Sequence, residues 1–67
     1  MELTERFLET LDPARRAVFV LAVIEGMPAP EVAMALGVPL NTIYSRLRLI
    51  RRDFRAVLAR RYQEALR

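Results

Sequence analysis

Asn41, Ser45, Arg48 and Arg52 recur at intervals of four, three and four residues, a spacing that stacks side chains along one face of an α-helix. At 100° per residue the four fall within about 60° of one another, with Thr42 and Tyr44 on their flanks. The residue types suit a nucleic-acid groove. Amide and hydroxyl groups exchange hydrogen bonds with base edges or phosphates, and the arginine fork matches both a guanine edge and phosphate oxygens. Asn41, Thr42, Tyr44 and Ser45 are placed to meet the groove. Arg48 reads a guanine or grips a phosphate, while Arg51, Arg52 and Arg55 track the backbone. Ile43, Leu47, Ile50 and Phe54 form the opposite, apolar stripe.

Other chemistry is poorly supplied. The chain has no cysteine and no histidine, so it lacks thiolate nucleophiles, disulfides, the commonest metal ligands and the usual near-neutral general base. Carboxylates are scattered singly, no phosphate loop is present, and Ser45 has no partner that would activate it. No enzyme, cofactor or metal site is expected. A charged helix face is often only solvated, which is the reading for Arg60, Arg61 and Arg67. Arg46, Arg48, Arg51, Arg52 and Arg55 crowd into ten residues with one acid among them, which favours nucleic-acid contact.

The elements that position these residues are punctuated by Asp12-Pro13, by Gly26 to Pro30 and by Gly37-Val38-Pro39. The blocks between them predict an all-α fold, a small four-helix domain. A first segment, about 2 to 11, sets Leu3, Phe7, Leu8 and Leu11 at helical spacing, with Glu2, Glu5 and Glu9 near one side. Asp12 as N-cap and Pro13 at N1 open a second helix to about Glu25. From Val18 to Ile24 it is apolar nearly all round, so it is expected to be the buried middle of the domain, with a partner surface as the other reading.

A short third helix, about 29 to 36, turns Val32, Ala33 and Leu36 inward and ends at Gly37, the left-handed position beyond its last turn. The fourth runs from about Leu40 to Glu64. Its stripe continues through Leu40, Ile43, Leu47, Ile50, Phe54, Val57 and Leu58. Leu49 lies toward the outer flank, open to packing on a neighbour, to a thymine methyl or to solvent. A short helix, a tight glycine turn and a long basic helix, about 29-36 and 40-64, outline a helix-turn-helix motif.

Charge follows the same division. Residues 1 to 37 carry three arginines against six carboxylates, net −3, and residues 38 to 67 carry eight arginines against two carboxylates, net +6. The longest apolar run, residues 17 to 24, is far short of the roughly 20 residues a membrane span needs. A soluble intracellular protein of one domain, residues 1-67, with no membrane partner is the expectation.

Residues 11 to 54 resemble region four of the extracytoplasmic-function sigma factors of bacterial RNA polymerase. The resemblance rests on Leu11, Arg16, Val18, Phe19 and Leu21, on Glu25-Gly26, on Glu31-Val32-Ala33, on Leu36 to Pro39, and on Thr42, Ile43, Ser45, Arg46, Leu47 and Arg51. Response-regulator DNA-binding domains share a looser form. The resemblance implies a cytoplasmic domain that binds the double-stranded promoter −35 element and docks on the polymerase β-subunit flap. It also implies an anti-sigma factor as a partner in many such proteins. By position it places Asn41, Thr42, Tyr44, Ser45, Arg46, Arg48 and Leu49 toward DNA, with Arg51 supporting the backbone grip. Tyr44 stands where such proteins commonly have lysine or arginine, and Leu49 where they often have arginine, so lower affinity or a changed preferred sequence is expected. The family's polymerase-recruiting, −10-melting N-terminal half is not in these 67 residues, so initiation by them alone is not expected.

Two rival readings remain. One is a protein-interaction module held to an anti-sigma factor or the flap through the apolar second helix and the basic fourth. The other is a stand-alone dimeric helix-turn-helix regulator, because one small module rarely supplies enough specificity alone.

Overall fold

The computed structural model describes residues 2–66, with side chains from Thr4 to Leu66. The inward place expected for Leu3, the acidic side expected for Glu2 and the solvated tail expected for Arg67 lie outside the described side chains. Four helical stretches follow in order, α1 (Glu2–Thr10), α2 (Pro13–Val18, continued by a π-helical segment Phe19–Ile24), α3 (Ala29–Leu36) and α4 (Leu40–Ala65). Among the described residues there is no strand.

Each boundary has a local cause. Thr10 turns its hydroxyl back onto the Phe7 carbonyl at 2.6 Å. The Asp12 carboxylate accepts from the Arg15 amide at 2.8 Å, capping α2 ahead of Pro13. Gly26 and Gly37 take φ of 71° and 68°, a region that strains any residue with a Cβ. At Gly37 the Val38 amide bonds back to the Ala33 carbonyl at 3.1 Å, closing a Schellman-type turn.

The second helix changes its winding. The Glu25 amide donates to the Val20 carbonyl five residues back at 2.9 Å, and the Met27 amide to the Leu21 carbonyl six residues back at 3.0 Å. The closing bonds are thus one residue wider than those at Gly37, as i→i+5 winding requires.

Phe7, Leu11, Val18, Phe19, Val32, Ala33, Ile43, Leu47 and Ile50 form the core. Phe7, Phe19 and Phe54 cluster where α1, α2 and α4 meet, with ring centroids 4.8 to 6.3 Å apart in edge-on or tilted arrangements. Arg16 fastens α1 from behind by donating to the carbonyls of Leu8 at 3.2 Å and Leu11 at 3.1 Å. That satisfies groups left over at a helix C-terminus.

Two expectations about burial need correction. The second helix is buried at Val18 and Phe19, but Val23 and Ile24 are 50% and 54% exposed. The apolar stretch is therefore core at one end and open surface at the other. The stripe of α4 is also shorter than its periodicity implies, because Leu40 and Leu58 are exposed at its two ends. A helix of 26 residues is about 39 Å long, and the molecule is 45 by 20 by 19 Å. The partners of α4 cover only part of that length.

Candidate nucleic-acid interface

The turn at Gly37 to Pro39 sets α4 against α3. Val32 and Ala33 on α3 and Ile43 and Leu47 on α4 are all buried, so the two helices share one core. With Ile43 and Ile50 turned inward, the outer side of α4 is committed to solvent. Asn41, Ser45, Arg48 and Arg52 are all exposed and share that side. Pro39, the N-cap of α4, offers no side-chain acceptor. The first-turn amides therefore keep the partial positive charge that attracts a phosphate.

The other candidate residues sit on the two flanks. Thr42, Arg46 and Leu49 are half-buried on one flank, and Leu49 is not among the apolar side chains packed against the core. Tyr44, 52% exposed, lies on the other flank and lines a small hollow with Met27 and Arg51. Arg51 is exposed and reaches the groove described below as well as this hollow. Arg55 is exposed further along. All ten candidates thus occur on α4, but Asn41, Ser45, Arg48 and Arg52 form one strip while Arg51 is turned toward the second helix.

Two features were not assigned in sequence. Asp53, the one acid in the arginine run, accepts from Arg52 through Oδ1, from Nε at 3.3 Å and Nη2 at 3.2 Å. Its Oδ2 faces Nη1 of Arg15 on α2 at 3.5 Å. An acid beside an arginine is visible in sequence, but its pairing with Arg15 is not. The second feature is an apolar groove of about 770 Å³ walled by Leu8, Phe19, Val23, Ile24, Ile50 and Phe54, with Glu5 and Arg51 also on its lining. The apolar run on the second helix was its sequence signal.

A short helix, a left-handed glycine turn and a long helix with a polar, arginine-bearing outer face define a helix-turn-helix DNA-binding domain. Residues 1–54 match the family model described as Sigma-70, region 4, and the chain belongs to that family, whose members bind the promoter −35 element. It is 40% identical over 57 residues to the ECF RNA polymerase sigma factor SigE of Mycolicibacterium smegmatis. That match takes in 85% of this chain and 22% of the relative, so the chain spans about a fifth of the relative's length. No solved structure gives a significant match. The domain is a non-enzymatic, DNA-binding part of the sigma-factor class.

Proposed function

We propose that residues 1–67 act as one promoter-binding unit of an alternative sigma factor in the cytoplasm, reading the −35 element with the outer strip of α4 and docking on RNA polymerase through the apolar groove. The observation that carries the DNA half is the placement of Asn41, Ser45 and Arg48 on one open side of α4, opposite buried Ile43 and Ile50. Asn41 and Ser45, near the helix start, meet base edges. Arg48 reads a guanine or holds a phosphate. Thr42, Tyr44, Arg46 and Leu49 border the contact, and Arg51, Arg52 and Arg55 supply positive charge along the backbone. No helix among the described residues is long and apolar enough to cross a membrane.

The polymerase half rests on Val23 and Ile24, which expose apolar surface beside a groove on a different side from the DNA strip. The β-subunit flap is the partner assigned to it in the assembled enzyme. An anti-sigma factor covering the same groove would hold the domain off polymerase.

The test is selection of the purified domain on randomised duplex DNA at low and near-physiological salt. An enriched short motif supports base reading by the α4 strip. Binding that is steep in salt and enriches nothing reduces the face to a phosphate grip. With three or four phosphates engaged, log K falls against log salt with a slope of about −3.

A further inference from the structure

We infer that Asp53 serves as an internal stand-in for a DNA phosphate, holding Arg52 away from the backbone and so limiting how tightly the outer face of α4 grips DNA. This rests on the reading that this face meets DNA. From Leu40 to Gln63, Asp53 is the sole carboxylate, surrounded by seven arginines. One of its oxygens takes both Nε and Nη2 of Arg52. That is the edge of the guanidinium fork by which arginine grips a phosphate.

Helix geometry makes the occupation consequential. Arg52 lies on the same strip as Asn41, Ser45 and Arg48, whereas Asp53 is turned about 100° away toward α2. Pairing with Asp53 therefore draws the fork sideways off the strip. Arg15 steadies the carboxylate from behind by facing its other oxygen at 3.5 Å. The Asp53 and Arg15 side chains are each 34% exposed, while that of Arg52 is 70% exposed. Arg52 is thus the open, exchangeable member, held by a carboxylate partly sheltered between two helices.

The experiment measures binding of a short random-sequence duplex over a range of salt for the wild-type domain, Asp53→Asn, Arg52→Ala, the double variant and Arg48→Ala, each checked for helicity. Asp53→Asn is expected to tighten binding about two- to five-fold, the scale of one exposed ion pair. It should also steepen the salt slope by about 0.9, one additional phosphate. Both gains are expected to vanish in the double variant. In the wild-type background Arg52→Ala is expected to lower the slope by well under about 0.9, the value of one full phosphate contact, because Asp53 already occupies much of the fork.

A drop of about 0.9 in slope on that single substitution overturns the inference, because Arg52 would already hold a phosphate. So does a gain from Asp53→Asn that persists without Arg52, which is the mark of a general charge effect. Silence of Asp53→Asn while Arg48→Ala weakens binding sinks the inference and leaves the DNA-facing reading standing. Unchanged binding in every variant overturns both.

Discussion

The ring of Phe7 meets the ring of Phe54 edge-on, with centroids 4.8 Å apart and planes at 60°. Phe7 is 2% exposed, and through this contact α1 is fastened to the middle of α4. Phe7→Ala removes a buried ring, at a cost of about 3–5 kcal/mol. A 67-residue domain has roughly 3–10 kcal/mol of stability in total, so the variant is expected to be largely unfolded or to melt far earlier in urea. A urea titration followed by circular dichroism decides it, and a midpoint near wild type would show that α1 is dispensable.

Gly37 occupies the left-handed turn between α3 and α4, with φ of 68°. No atom would touch an added Cβ, so the cost of Gly37→Ala is conformational alone, about 1–2 kcal/mol. The expected result is a clear fall in melting temperature and weaker DNA binding wherever the angle between the helices relaxes. Thermal unfolding of the two proteins side by side measures the first part directly.

Arg48 is exposed on the α4 strip, and no ion pair among the described residues engages it. Arg48→Ala is expected to keep full helicity while weakening DNA binding. If Arg48 holds a phosphate, the salt slope falls by about 0.9. If it reads a guanine, the loss appears as relaxed preference at one base pair. Fluorescence anisotropy with selected and scrambled duplexes separates these outcomes.

Arg16 provides the contrasting case, since its guanidinium donates to the carbonyls of Leu8 and Leu11. Arg16→Ala is expected to cost about 1 kcal/mol of stability, as one exposed and one partly buried hydrogen bond to carbonyl oxygens are lost. The salt slope of DNA binding should not move. Measuring both quantities on one preparation distinguishes an arginine that holds the fold from one that holds a phosphate.

Val23 is half-exposed and lines the apolar groove, away from the α4 strip. Val23→Asn would place an uncharged polar group in any apolar contact made there. Binding to a β-subunit flap fragment is expected to weaken by at least about tenfold, with DNA affinity unchanged. Biolayer interferometry with the fragment and with duplex DNA provides the comparison, and equal loss of both would point to misfolding.

What the residues determined by themselves was local. Asp12 and Pro13 start a helix through an acceptor and a preset φ, Gly26 and Gly37 stop helices through positive φ, and the spacing of Ile43, Leu47 and Ile50 assigns a buried and an open side to α4. Each depends on chain neighbours within one or two turns, which is why the four helices, the turn and the polar strip are legible in the sequence. Tertiary structure decided whatever depends on which element lies opposite. Val18 and Ile24 are both aliphatic and share one helix, yet one is fully buried and the other half-exposed, because packing partners cover only the first part of that segment. Leu58 continues the α4 stripe but is left exposed. Asp53 meets Arg15 from 38 residues away, and no periodicity within α4 contains that contact, since it exists only once α2 has been laid across α4 by their common core.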